Sequence, residues 1–269
     1  MHRIDTGRRW VLIALATTSS IAAAQTPVAK PAEAVDARGQ LARLNRLSVL
    51  SDRITRCAVQ RHLGVLTSQA EKVLAGVLRE ARTLIDELSP LDKSNSLRAG
   101  WANARTAYRS YLQAAEKLDP KDREGLVRLA KEADDLDEKV TAVSDQILKE
   151  SGNPAAAILN LTTEMQRLTQ HLAVHFLLAR AGVDEKANAE EVTTARGSFT
   201  KLLAELKASP IQSPAIASQM QLLEGQWIFM NSALGATVRS QQSLEAASTT
   251  SERTLEVLSQ LQTQFESAR

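Results

Sequence analysis

Arg46 and Arg53 stand seven residues apart in a stretch of leucine and small polar residues, a spacing that stacks two guanidinium groups along one edge of a helix. The guanidinium fork offers paired donors to planar oxyanions such as nitrate or a carboxylate. The competing role for such arginines is a snorkelling or salt-bridged flank beside an apolar stripe. Further along, His171 and His175 are four apart, a spacing that could give two imidazoles to one metal ion. His171-Leu-Ala-Val-His175 lacks the glutamate of metalloprotease helices, and no third ligand is evident, so core or interfacial histidines open to protonation are expected instead of a metal site. The sequence holds no nucleophile elbow, P-loop, dinucleotide fingerprint or pair of carboxylates in a catalytic setting. Neither an enzyme nor a cofactor is therefore expected.

These side chains need long helices to position them. From Arg38 onward the chain is Leu, Ala, Glu, Lys, Arg and Gln at helical spacing, without alternating runs of β-branched residues. Proline is tolerated at a helix start but breaks an interior, so Pro90, Pro120, Pro154, Pro210 and Pro214, with Gly64 and Gly182, act as punctuation. The spacing predicts helices over 38–63, 67–88, 94–117, 122–150, 155–181, 187–208, 213–235 and 237–267. Asn153-Pro154 has the form of a helix start, and residues 25–37, rich in Ala and Pro, read as a flexible leader. The expected fold class is all-α: two tandem antiparallel four-helix bundles.

The tandem reading rests on self-similarity. Leu50-Ser-Asp-Arg53 and Leu168-Thr-Gln-His171 lie 118 apart, as do Gly64-Val65 and Gly182-Val183, and Leu84-Ile-Asp-Glu-Leu88 and Leu202-Leu-Ala-Glu-Leu206. Matching Trp101 to Trp227 instead gives 126, which implies an eight-residue insertion around Ser209–Pro214. The modules are taken as 38–150 and 155–267, with both tryptophans filling the core against the lead helix.

On the lead helix, with Leu47 at zero, Ile54 falls at about −20°, Leu50 at about −60°, Cys57 at about −80° and Leu44 at about +60°, which defines an apolar face. Arg46 and Arg53 fall on its edge, at about −100° and −120°. In the second copy Met165 replaces Leu47, and His171, at about −120°, takes the place of Arg53. Arg167 falls farther toward solvent at about −160°, and Glu164 takes the place of Arg46. The acidic stretch Asp134-Asp-Leu-Asp-Glu138 lacks the glycine and ligand spacing of a calcium loop and reads as a solvated face.

Met1–Ala24 carries Arg3, Arg8 and Arg9, an apolar run from Trp10 to Ala16, and small residues ending in Ala22-Ala-Ala24, the order of a cleaved signal peptide, and the apolar run is too short to span a bilayer. Its removal takes three arginines and one aspartate from totals of 33 basic and 31 acidic residues, leaving the charges balanced. That balance gives nucleic acid no basic face to bind. Cys57, the only cysteine, excludes an internal disulfide and falls within an apolar stripe, so a buried structural thiol is expected.

Asn45-Arg-Leu-Ser-Val-Leu-Ser-Asp-Arg-Ile-Thr-Arg56 resembles the A-G-R-Q-R-M-L-S-Q-R-[IM]-A-K signature of the N-terminal domain of type IV pilus methyl-accepting chemotaxis transducers, the PilJ-like family related to NarX-type nitrate sensors. Asn160-Leu-Thr-Thr-Glu-Met-Gln-Arg-Leu-Thr-Gln-His-Leu-Ala173 looks like a second copy. The resemblance implies periplasmic four-helix bundles and, from the nitrate-sensing relatives, an anion held by a lead-helix arginine. The family arginine before M-L-S-Q falls on Ser48 in one copy and Gln166 in the other; Arg46 matches the earlier arginine of the signature, Arg53 the later one, and Arg167 stands at the Met position. Family members commonly continue into a membrane helix and a signalling domain; neither is expected here, so signalling would pass through a partner. The expectation is a soluble periplasmic ligand-binding or sensor-accessory protein, with a small anion and a protein partner or second copy as its contacts and Arg46, Arg53, Arg167, Ser48, Gln166 and His171 as its ligand-binding residues. The alternative is a helical interaction protein of the periplasm.

Overall fold

The computed structural model describes residues 31–151, 157–209, 213–235 and 240–267. The expected signal peptide, most of the leader and the Asn153-Pro154 helix start lie outside them. Within them the chain is all-α, with eight helices: α1 (Pro31–Leu63), α2 (Thr67–Glu87), α3 (Arg98–Lys117), α4 (Arg123–Ser151), α5 (Ala157–Arg180), α6 (Glu185–Lys207), α7 (Pro214–Leu234) and α8 (Gln241–Ser267). A 3-10 turn over Ser89–Lys93 carries Pro90 between α2 and α3. The one early departure is at the start, where α1 takes in Pro31–Ala37 of the expected leader. Proline's fixed φ suits a first helical position, and the alanines and glutamate after it are good helix formers.

The repeated glycines mark repeated turns. Gly64 and Gly182 have φ of 68° and 73°, the left-handed region open to glycine. In each turn the next amide closes back on the last helical turn, Val65 N to Gln60 O at 2.8 Å and Val183 N to Leu178 O at 3.0 Å, the Schellman arrangement. Leu66 and Asp184, again 118 apart, are both left-handed as well. Asp184 then caps α6 by accepting from the Ala187 amide, and Ser213 caps α7 ahead of Pro214 by accepting from the Ile216 amide.

The helix limits correct the expected insertion. α4 and α8 begin 118 apart, at Arg123 and Gln241, and α3 and α7 end within one residue of that offset, at Lys117 and Leu234, so no eight-residue insertion separates the copies. Trp101 and Trp227 are therefore at different levels: Trp101 is one turn into α3, whereas Trp227 is deep in α7 and stacked on Phe199 of α6 at 4.1 Å between centroids. Both are buried as expected. Two large aromatics on a bundle face are a weaker register mark than helix caps, since several levels of a core can accept either.

In the first half α1 packs against α2 and α4, and α4 against α3; in the second, α5 packs against α6 and α8, and α8 against α7. The lead helices α1 and α5 also pack against one another, and the buried apolar residues of both halves form one continuous core. As a result α1 has no solvent face through its middle. Leu47, Leu50 and Ile54 are buried on the face identified above, and so are Val49, Arg56 and Val59 around the rest of the helix. From α3, the hydroxyls of Tyr108 and Tyr111 donate to the Leu47 and Ser51 carbonyls at 2.8 and 2.6 Å, tying α3 to α1.

Candidate functional site

Each arginine expected to meet a ligand already faces a carboxylate. Arg46 bonds Glu80 of α2 through two nitrogens, at 2.6 and 3.1 Å. Arg53 reaches across to α8, where its Nε donates to Glu252 Oε1 at 2.9 Å and its Nη2 contacts the other oxygen. Arg167 bonds Glu164 at 3.0 and 2.8 Å and pairs with Asp137 of α4 at 3.4 Å. Burial works against the charge of Arg167, but Glu164 and Asp137 outweigh it and hold its pKa above the ordinary value. Ser48 is buried in α1, and the buried Gln166 donates to Gln262 of α8 at 3.0 Å.

Arg56 is absent from the residues expected to act, yet it is the most buried cation in these clusters, 2% exposed. Its Nη1 donates to the Ser248 carbonyl at 3.1 Å, and its Nη2 meets the Glu252 oxygen that also receives Arg53 Nε. Burial opposes ionisation of Glu252, but Arg56 and Arg53 prevail and hold its pKa below the usual value. Arg56 lies about 180° from Leu47 on the helix, where a helix with one buried face would meet solvent. The sequence signal for its burial is slight: α5 is poor in charge, but α1 itself is as charged as the rest of the chain.

The position equivalent to Arg53 holds a different kind of group. His171 Nε2 is 3.0 Å from Glu191 of α6, and its Nδ1 is 3.8 Å from Asp52 of α1. Burial disfavours the imidazolium, but Glu191 and Asp52 more than compensate, so the His171 pKa is raised. Asp52, buried at the seam, is pushed up to about 7 by desolvation, with His171 opposing the rise. His175 packs on His171 with ring centroids 4.1 Å apart and bonds Asn188 at 2.6 Å; burial and the His171 charge bring it down to about 4. Among the described residues, no group of three His, Cys, Asp or Glu is placed to hold a metal ion. The acidic stretch on α4 is largely solvated, with Asp134, Asp135 and Glu138 exposed and only Asp137 drawn inward. Cys57 is buried, and desolvation raises its thiol pKa.

Two of the expected residues do meet in one place. Arg46 and Gln166 line a polar cleft of about 360 Å³ between α1, α2, α5 and α8, with Asn45, Glu80, Thr163 and Gln262 beside them. Arg53, Arg167, Ser48 and His171 are not among its lining residues. No protein-family model, curated protein or solved structure matches this chain.

Proposed function

We propose that this chain is a non-enzymatic ligand-binding or sensor-accessory protein of the periplasm that acts through a partner. The observation that carries this reading is the convergence of Arg46 and Gln166 on one cleft between the lead helices. A volume of about 360 Å³ falls at the small end of ligand sites, and amides, hydroxyls and one guanidinium suit a small molecule bearing an oxyanion group, such as nitrate, nitrite or a short carboxylate. Because Glu80 already occupies Arg46, the anion must displace that carboxylate or bring a cationic group of its own to it. The basic, apolar and small-residue order of residues 1–24 supports export, and the lead-helix resemblance supports a sensory role.

Isothermal titration of the folded protein with nitrate, nitrite and small carboxylates tests the reading. Binding that is weakened at least tenfold by Gln166→Leu and by Arg46→Gln is expected; absence of heat for every anion counts against it.

A second reading, a helical interaction protein, is favoured by α7. Leu222, Ile228 and Phe229 are large apolar side chains exposed at 50%, 67% and 62% on that one helix. Self-association in sedimentation that is lost in a Leu222→Ser/Phe229→Ser variant would support a second copy as the partner.

A further inference from the structure

Each half takes part in an ionic cluster at the seam, and the chemistry of the two is not the same. Arg53 on α1 faces Glu252 on α8; 118 residues along, His171 on α5 and Asp134 on α4 stand at the equivalent positions. In the first cluster every cation is an arginine: Arg53 and Arg56 together face Glu252, and the cluster is cationic at any working pH. In the second, carboxylates exceed cations. Asp52 comes from α1, the exposed Asp134 and half-buried Asp137 from α4, Glu164, Arg167 and the two histidines from α5, and Glu191 from α6. From α3 come only the neutral hydroxyls of Tyr108 and Tyr111, already bonded to α1 carbonyls.

A carboxylate placed among other carboxylates and away from water favours its protonated form, and an imidazole between two carboxylates favours its charged form. Both preferences act here on neighbouring groups that belong to different halves. Asp52 is 11% exposed and His171 14%, and the ring of His171 spans from Asp52 on α1 to Glu191 on α6.

We propose that Asp52 and His171 form a proton-operated clasp between the two halves, the titratable counterpart of the permanent clasp made by Arg53, Arg56 and Glu252. In acid, Asp52 is neutral and His171 is a cation held by Glu191, so α1 and α5 meet without an unmatched buried charge. As the pH rises, Asp52 gives its proton to solvent and adds an anion to the acidic side of the seam. When His171 follows, the only cation left there is Arg167, and α1 loosens against α5 and α6.

The sign follows from linkage. For Asp52, whose folded pKa of about 7 exceeds the ordinary 3.8, the stabilisation is complete below the ordinary value and is lost as the pH rises toward 7. For His171, whose pKa is raised, it is complete below 6.5 and lost as the pH rises through the folded value. His175 works in the opposite direction, so a comparison that cancels it is needed.

The test is hydrogen exchange of α1, α5 and α6 amides, corrected for intrinsic rates, in the full chain and in Asp52→Asn. The ratio of seam-opening constants, wild type over variant, is expected to rise by up to about tenfold per pH unit between pH 5 and 7 and then level off. A ratio that does not change with pH overturns the proposal. Carbon NMR titration of the Asp52 carboxyl in the wild type supplies a readout that does not depend on the variant's folding: a midpoint near 7 supports the clasp, and a midpoint near 4 overturns it. In His171→Gln the Asp52 midpoint is expected to move higher still, and an unmoved midpoint overturns the pairing.

Discussion

Arg53 of α1 grips both carboxylate oxygens of Glu252 of α8, so the first and last helices are joined across the whole length of the sequence. Arg56 shares one of those oxygens from a more buried position. Glu252→Gln therefore leaves a buried guanidinium without its counter-charge and is expected to cost about 3 kcal/mol. Arg53→Gln removes a cation from the partly exposed rim while Arg56 still neutralises Glu252, and is expected to cost about 1 kcal/mol. Urea unfolding of the two variants measures both, and the order of the two effects is the point at issue.

Tyr111 places its hydroxyl proton on the Ser51 carbonyl, so the Thr55 hydroxyl, 2.8 Å away, must donate to Tyr111. Tyr108 serves the Leu47 carbonyl alone. Tyr108→Phe is expected to cost about 1 kcal/mol. Tyr111→Phe should cost more, because two buried groups lose a partner. A Tyr111→Phe/Thr55→Val double-mutant cycle would recover part of that excess, and equal losses for the two tyrosines would contradict the assignment.

Gly64→Ala and Gly182→Ala are each expected to destabilise by about 1 kcal/mol. A Cβ at Gly64 meets nothing within 4 Å and one at Gly182 only Arg123 at 3.7 Å, so the cost is backbone conformation and not crowding. The turns belong to separate halves, and the two losses should add in the double variant when thermal unfolding is followed by circular dichroism.

His175 is held neutral, with a pKa of about 4 against an ordinary 6.5. Its contribution to stability is present above pH 6.5 and lost as the pH falls toward 4, at up to about 1.4 kcal/mol per pH unit. His175→Gln can keep a bond to Asn188 without gaining a proton. The variant should therefore lose less stability than the wild type between pH 6.5 and 4.5 in equilibrium urea unfolding; parallel curves would show that His175 is not held neutral.

The helices were legible in the sequence because their ends carry chemistry of their own. Gly64 and Gly182 supply left-handed turns, and Ser213-Pro214 supplies a cap followed by a first helical residue. The cleft was legible only in part: Arg46 and Gln166 were among the expected residues, while Glu80, which occupies Arg46, comes from another helix that no spacing on α1 reveals. Asp52 and Arg56 escaped because the angular argument gives a helix one buried face. Once α5 packs along α1, positions that would meet water lie inside, and a polar residue there becomes a buried charge. Long-range packing of this kind leaves little trace in the local sequence, since α1 carries as much charge as the rest of the chain.

Because the halves meet through α1 and α5 within one chain, their encounter is unimolecular. Two separate copies presenting the same faces would part on dilution, whereas a covalent tether keeps the faces at an effective concentration that is roughly millimolar or above. The seam can thus be weaker than an interface between free subunits without the halves drifting apart. A junction held so close by its own chain can afford to hinge on the protons of two side chains.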